Sequence, residues 1–273
     1  LVALLLPLSK APAWGWTAPA TLGLFAAAAV LLAGWLTVEL RSTNPLIDMR
    51  MMRRPAVWTT NLVALLFGAG MFAVYAFLPQ LMQTPSAAGY GFGASVTRSG
   101  LLMLPMLVTM AASGSMSGPL AARVPSKAQL ILGSALSAIA CALFALRHDE
   151  PWQVAAAGAI FGLGLGLVFA SMINLIVQSV PPSQTGVASG MNANIRTIGA
   201  SIGTAAVSSI ITAHIQPTGF PAESGYTTSF LLLAVIGVAA TALAVLVPAT
   251  RRRHQAEPEL SAETAPDLTP VEV

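Results

Sequence analysis

Charged side chains are scarce in this sequence: they make up 8% of its 273 residues, whereas hydrophobic residues make up 55%. A typical soluble domain carries about 25% charged residues. The deficit excludes an ordinary soluble enzyme. Together with the mean hydropathy of +0.75, it favours a chain that folds in lipid.

Residues that build disulfides, metal sites and nucleotide sites are equally sparse. A single cysteine, Cys141, excludes a disulfide framework and a multi-thiolate metal site. The three histidines are widely separated and show no metal-ligand spacing. The sequence also lacks the GxxxxGK(S/T), GxGxxG and HExxH motifs. We therefore expect no enzyme activity, no metal and no cofactor, and ATP-driven transport by this chain is unsupported.

The excess of basic over acidic residues, with a net charge of +3, does not indicate a nucleic-acid-binding protein. The lysines and arginines fall at the ends of apolar runs and form no stripe. The positive-inside preference of membrane proteins explains this pattern better. We expect the partner to be a lipid bilayer and not a nucleic acid.

Seven long apolar segments can each cross a bilayer as a helix, which takes about 20 residues. They are too long and too uniformly apolar to be barrel strands. The sequence therefore predicts an all-α polytopic transmembrane helix bundle, with spans near 17–38, 56–82, 99–122, 128–146, 152–178, 187–215 and 227–247.

The last six predicted spans fall into two groups of three, as in transporters built from repeated helix triplets. Each group ends in its most apolar member, 128–146 or 227–247. A helix that is apolar on nearly every face either faces lipid or packs peripherally, and we expect this of both.

Residues 1–8 form a further apolar run that is too short to cross a membrane. We expect them to be the end of a helix whose start is missing. The predicted organisation is a truncated span, one full span and a cytoplasmic loop in residues 1–55, then a six-helix bundle in 56–250. An acidic, proline-rich tail, 251–273, is expected to be disordered.

Lysine and arginine predict the orientation of the spans. Nine basic residues fall on one side, and three, Lys10, Arg98 and Arg147, fall on the other. The heavier side should be cytoplasmic, which places the C-terminus in the cytoplasm and the chain in the plasma membrane. The five tryptophans agree, because all of them fall at predicted span ends: Trp14, Trp16 and Trp152 at outer ends, Trp35 and Trp58 at inner ends.

Arg196 is the one charge well inside a predicted span, and Asn192 lies one turn before it on the same face. A buried arginine costs at least a few kcal/mol on insertion scales, so it needs a partner such as backbone carbonyls, water or an anion. It either clamps the helix bundle near the cytoplasmic mouth or provides a cavity charge that contacts substrate. No aspartate or glutamate falls inside a predicted span, so we expect a proton-carrying carboxylate in a missing part.

Other side chains inside the spans are further candidates for a substrate path. Four of them are polar and either hydrogen-bond a neighbouring helix or line a polar path: Asn61, Tyr75, Asn174 and Gln178. Three are methionines on one helix face, which form either core or an adaptable surface for varied apolar ligands: Met103, Met106 and Met110.

Glycines four residues apart permit close contact between membrane helices. Two such pairs lie along the sixth predicted span: Gly186 with Gly190 at its start, where Gly186 immediately precedes the span, and Gly199 with Gly203 inside it. Either these glycines only pack helices, or they allow closely packed helices to rock between two states.

Three stretches resemble a known family. The first is VELRSTNPLIDMRMMRRPAVWTTN, the second is TRSGLLMLPM with the later GPLAARVPSK, and the third is GVASGMNANIRTIGASIGTA. Together they resemble the C-terminal half of a major facilitator superfamily exporter, most closely the fourteen-spanner drug:proton antiporters of the EmrB/QacA type.

The stretch GPLAARVPSK is similar to the Gly-x-Leu-x-Asp-Arg-x-Gly-x-Lys/Arg loop of that superfamily. Gly118, Arg123 and Lys127 match it, whereas Ala122 stands where the acid would be and Pro125 where the second glycine would be. The resemblance therefore implies a cytoplasmic gate or latch at these residues, without the full charge relay.

The resemblance implies the C-terminal lobe of a major facilitator fold. The truncated span and the first full span would be the extra central pair of the family, and six earlier helices would be missing. The resemblance further implies alternating access around a cavity between two lobes, with protons coupled mainly through the missing half.

Three functional hypotheses remain open. The first is the C-terminal portion of a proton-coupled multidrug efflux transporter of small amphipathic compounds, inactive without its missing half. The second is an exporter of another cargo, such as a siderophore, lipid, peptide or amino acid, on the same fold. The third is a membrane scaffold that does not transport.

Overall fold

The computed structural model describes residues 2–41, 53–213, 215–217 and 219–248. Within these ranges eight α-helices follow one another: α1 (Val2–Trp14), α2 (Pro19–Arg41), α3 (Pro55–Gln83), α4 (Val96–Leu120), α5 (Ser126–Leu146), α6 (Pro151–Ser179), α7 (Thr185–Thr212) and α8 (Glu223–Leu246). Seven of these, α2 to α8, are long and apolar enough to cross a membrane. The predicted all-α bundle with seven spans is confirmed for the described residues.

Local sequence explains where several helices begin. Pro19, Pro55 and Pro151 occupy the first positions of α2, α3 and α6, where the missing N–H of proline costs no helical hydrogen bond. The Ser95 hydroxyl accepts a hydrogen bond from the Arg98 N–H at the start of α4. At α6, Glu150 and Gln153 form a reciprocal capping box.

Some boundaries differ from the prediction. Helix α1 extends to Trp14, so Lys10 lies within a helix, and the chain turns only at Gly15, whose φ of 95° suits glycine. Helix α2 continues to Arg41, and α7 ends at Thr212. Parts of the prediction lie outside the described residues: Pro45, Leu46 and Asp48 of the first resembling stretch, His214, and the tail 251–273.

Helices α3 to α8 pack as two interlocked triplets. The first helix of each triplet packs most extensively against the second helix of the other, α3 against α7 and α6 against α4. Each first helix also packs against the third helix of the other triplet, and the third helices, α5 and α8, contact each other. This reciprocal pattern is the packing expected of repeated helix triplets.

Helix α5 is more buried than its uniformly apolar sequence suggested. In its most apolar window 56% of the residues are buried, against 28% for α8. Gly133 of α5 and Gly164 of α6 bring the two backbones so close that a Cβ on either would meet the carbonyl of the other. Helix α5 packs between α6 and α8, while Leu132, Ile139 and Leu146 stay exposed on it, so a lipid-facing side of α5 stays a prediction.

Two ends of the bundle are defined by contacts between helix termini. The arginine-rich end carries Arg41, Arg54 and Arg123, and there Arg54 Nη1 donates to the carbonyl oxygen of Ser179 at 2.9 Å. This bond joins the start of α3 to the end of α6 and supplies a cation to the last turn of a helix, where the carbonyls lack partners.

The opposite end is tied by two long-range contacts. The Tyr90 hydroxyl donates to the carbonyl of Pro221 at 2.6 Å. His148 Nε2 lies 3.0 Å from a Glu223 carboxylate oxygen. Connections that the charge pattern assigned to one side of the membrane therefore do lie together.

The seam between α4 and α6 offers a matched test of close packing. A Cβ at Gly162 would meet the Met106 carbonyl, whereas one at Gly158 would make an ordinary contact at 3.6 Å. We expect Gly162→Ala to destabilise the chain by about 1–3 kcal/mol through overpacking. Gly158→Ala should be neutral or slightly stabilising, because alanine favours helix.

The measurement is thermal unfolding of the two purified variants in detergent. Equal melting temperatures for Gly162→Ala and the unmodified chain would show that α4 and α6 are not in backbone contact at this position.

Candidate functional site

The seam between α3 and α7 brings together two of the predicted path residues. Asn192 Nδ2 donates to Asn61 Oδ1 at 2.9 Å, and both side chains are buried. An amide pair between membrane helices satisfies polar groups that would otherwise face hydrocarbon. The pair links the first helix of one triplet to the second helix of the other.

Glycines allow this close approach. Gly199 and Gly203 of α7 face the backbone of Leu65 and Ala69, and Gly68 of α3 faces the Arg196 carbonyl, each so closely that a Cβ would not fit. Gly199 and Gly203 share a face of α7 with Asn192, because residues three, four or seven apart line one side of a helix.

The other predicted glycine pair does not pack in this way. A Cβ at Gly186 or Gly190 would meet nothing within 4 Å, and both residues are exposed. Gly190 precedes Gly199 by nine residues, which is two and a half helical turns and so places it on the far side of α7. No helix in the described part of the chain packs closely on Gly186 or Gly190, and their packing role stays a prediction.

Arg196 has an aromatic partner. Its Cζ lies 4.7 Å from the centroid of the Phe169 ring, and Phe169 meets Phe67 edge to face at 5.5 Å. The stack joins α7, α6 and α3, and a cation–π contact of this kind contributes roughly 0.5–2 kcal/mol. Arg196 is only half-buried, so part of its surface stays available to another group.

The exposed side of α7 is small and polar beside Arg196. Thr197 is exposed and Ser201 half-buried. Their hydroxyls donate to carbonyls of the preceding turn, at 3.0 Å for Thr197 and 3.2 Å for Ser201. With Gly190, these residues form what we call the open face of α7, defined as Gly186, Gly190, Thr197 and Ser201.

The predicted methionine stripe lies along the seam between α4 and α6. Met106 is fully buried against Gly162. Met103 and Met110 are half-buried, and the Tyr75 hydroxyl donates to the Met110 sulfur at 3.5 Å. Met106 is thus core, while Met103 and Met110 retain surface that a ligand could contact.

Asn174 and Gln178 lie in the last turns of α6, at the arginine-rich end. Asn174 is half-buried and Gln178 is exposed. They precede Ser179, whose carbonyl accepts the hydrogen bond from Arg54. They thus lie near a helix terminus rather than in the middle of the bundle.

The gate residues implied by the resemblance surround the short connection between α4 and α5. Gly118 and Arg123 are exposed and Lys127 is half-buried. The connection is braced by two side chains that sequence reasoning missed. The Ser117 hydroxyl donates to Gln129 Oε1 at 2.6 Å, and Gln129 Nε2 donates to the Val124 carbonyl at 3.0 Å.

Residues 199–203 read Gly-Ala-Ser-Ile-Gly, the GxSxG spacing of the hydrolase nucleophile elbow. That motif requires a sharp turn between a strand and a helix. Here all five residues lie within the continuous helix α7, and the Ser201 hydroxyl bonds its own helix. The match therefore carries no catalytic meaning.

A family model described as Major Facilitator Superfamily matches residues 2–204 and, in a second alignment, residues 62–271. Together the two alignments cover most of the chain.

Several curated proteins are similar to the chain. It is 31% identical to the tetracycline resistance determinant of Streptomyces rimosus, over 77% of this chain and 60% of that protein. It is 30% identical to the tetracenomycin C resistance and export protein of Streptomyces glaucescens, over 76% and 38% of the respective lengths. It is 27% identical to the multidrug transporter protein MdtP of Bacillus subtilis, over 78% and 39%. The chain thus aligns with 38% to 60% of the length of these relatives.

The Asn61–Asn192 pair can be tested by a double-mutant cycle. Asn61→Leu and Asn192→Leu should each destabilise the chain, because each leaves the other amide buried without its partner. The double variant should lose less than the sum of the two, by a coupling of about 0.5–1.7 kcal/mol.

The cycle is measured as the free energy of unfolding in mixed detergent micelles. Strictly additive losses would contradict the hydrogen bond between α3 and α7.

Proposed function

Since the chain belongs to the major facilitator superfamily, we propose that it is the C-terminal portion of a proton-coupled multidrug efflux transporter. It is a multi-pass membrane protein, with seven helices able to cross a bilayer. The names of its relatives, which include a resistance and export protein and a multidrug transporter, support drug efflux as the activity of the whole protein.

The helix arrangement supports this assignment. Helices α3 to α8 form one closed set of two triplets, as one lobe of such a transporter would. Among the described helices, α2 packs extensively only against α1, and α1 packs against the six-helix set mainly through α7. The α1–α2 pair therefore lies at the periphery of that set. This separation supports the fourteen-spanner type, in which α1 and α2 would belong to the extra central pair.

The observation that carries the proposal is the half-buried Arg196 beside the open face of α7. A cation and hydroxyls on an exposed face of a membrane helix are expensive in hydrocarbon, so they should face a water-filled cavity or another protein surface. We assign this face to the cavity between two lobes, with Met103 and Met110 of α4 supplying apolar contact for small amphipathic substrates.

The other candidates take supporting roles in this scheme. Asn61, Asn192, Gly199 and Gly203 hold α3 and α7 together. The loop with Gly118, Arg123 and Lys127, together with Asn174 and Gln178 near the same end, would form the cytoplasmic gate. The arginine-rich end then faces the cytoplasm, in agreement with the positive-inside preference, and the C-terminus lies there too.

Proton coupling is assigned to the rest of the protein. The described spans carry no carboxylate away from their ends, since Glu39 is the third residue from the end of α2 and Glu223 is the first residue of α8. We therefore propose that residues 1–273 do not transport without the other lobe, which would supply the titrating carboxylate.

Transport of a fluorescent cationic dye tests this scheme. In cells that express residues 1–273 alone we expect background efflux, whereas the chain joined to its upstream half should extrude dye in proportion to the proton gradient. In the joined protein Arg196→Ala should lower efflux about tenfold, since losing a contact of about 1.4 kcal/mol changes a rate by that factor.

Arg98→Ala is the matched control, because Arg98 is exposed at the opposite end of the bundle, and it should leave efflux unchanged. Substantial proton-driven efflux by residues 1–273 alone would overturn the assignment of coupling to the other lobe. Normal efflux by Arg196→Ala would remove Arg196 from the substrate path.

Cysteine labelling distinguishes a drug exporter from an exporter of other cargo or from a scaffold. The native Cys141 is buried, so it should contribute little background. In the joined protein a Thr197→Cys variant should label with a water-soluble maleimide, and the dye should slow that labelling severalfold. Ile173→Cys, exposed on α6, should show no such protection, and equal rates at Thr197→Cys with and without dye would favour the other two hypotheses.

A further inference from the structure

An apolar cavity lies away from the seam between α3 and α7. It encloses about 430 Å³ between α1, α2 and the first half of α7, a volume within the range of small-molecule sites. Ala28, Leu31 and Trp35 of α2 face Ile195 and Ile198 of α7 across it. The lining carries no charge, and Asn194 is its one amide side chain.

The cavity lies on the side of α7 that is turned away from Arg196. Ile198 lies roughly 160° around the helix from Arg196, since successive residues are turned by 100°. A molecule in the cavity would therefore be turned away from Arg196, while Asn194, three residues before Thr197, places it at the edge of the open face.

The position of the cavity indicates what would fill it. Most of its lining belongs to α2 and α7, two helices long and apolar enough to cross a membrane, where hydrocarbon is the surrounding solvent. It extends toward the arginine-rich end, because Trp35 lies six residues, or about 9 Å along the axis, from Arg41. Arg41 is exposed in the last turn of α2, where a cation attracts anionic lipid phosphate.

We propose that this cavity binds an acyl chain of an anionic phospholipid from the leaflet at the arginine-rich end, with the phosphate directed toward Arg41. The uncharged lining suits a hydrocarbon chain, and the exposed guanidinium beyond it selects the headgroup. The bound lipid fills the space between α7 and the α1–α2 pair. The proposal depends only on the membrane location and not on the export activity proposed above.

Native mass spectrometry of the full chain tests the proposal, after reconstitution in mixed phosphatidylglycerol and phosphatidylethanolamine and transfer to detergent. Ala28→Phe fills the cavity, since Ala28 is 4% exposed on its wall. Ala29→Phe is the control, because the adjacent Ala29 is exposed on the same helix. We expect the unmodified chain and Ala29→Phe to retain one more phosphatidylglycerol than Ala28→Phe.

Ile198→Phe fills the same cavity from α7 and should also lose the lipid. It controls for the possibility that Ala28→Phe acts by disrupting the packing of α1 against α2. Arg41→Gln should retain the cavity but weaken the preference for phosphatidylglycerol over phosphatidylethanolamine about fivefold, the effect of one cation near a lipid surface. Equal lipid retention by Ala28→Phe, Ile198→Phe and Ala29→Phe would overturn the proposal. So would displacement of the lipid by tetraphenylphosphonium, which would identify the cavity as a drug site.

Discussion

Contact between helix backbones across glycine is the interaction on which the rest of this structure depends. Within a membrane, helices gain little from burying apolar side chains against one another, because lipid is equally apolar. Association then rests on close packing and on the few polar contacts that close packing permits. Gly68, Gly199 and Gly203 supply that proximity between α3 and α7, and Gly162 and Gly166 supply it between α6 and α4.

The polar chemistry of the bundle follows from these seams. Asparagine side chains are short, and Asn61 reaches Asn192 only because the two backbones are nearly in contact. The same approach carries Arg196 to the face of Phe169. One side of α7 thereby packs against α3 and α6, while its open face stays accessible. A single helix can therefore be held firmly on one side and still leave part of the Arg196 side chain exposed.

Hydropathy and the positions of proline were enough to predict the helices, because both act on residues that are close in the sequence. Pro19, Pro55 and Pro151 mark helix starts wherever the chain folds. The order of the elements and the two triplets followed from the apolar runs alone. Helix α1 is longer than the apolar run 1–8, because an exposed Lys10 does not interrupt a helix although it ends a charge-free stretch.

Partners between helices could not be predicted in the same way. Asn61 and Asn192 are 131 residues apart. The residues around either one do not indicate that the other is its hydrogen-bond partner. Gly190 and Gly199 both belong to GxxxG pairs on one helix, yet only the neighbouring helix decides which pair is in contact. Phe169, Ser117 and Gln129 escaped notice for the same reason, since their roles exist only once α6, α4 and α5 are in place.

The bond from Arg54 to the end of α6 has a mechanical consequence. The first helices of the two triplets are joined at one terminus by a guanidinium on a carbonyl and further along by the Phe67–Phe169 ring contact. Because these two contacts lie at different depths in the bundle, they resist both translation and rotation of α3 relative to α6. In any large motion of this bundle α3 and α6 should therefore move together as one rigid unit. Changes in backbone conformation should then occur in other segments of the chain.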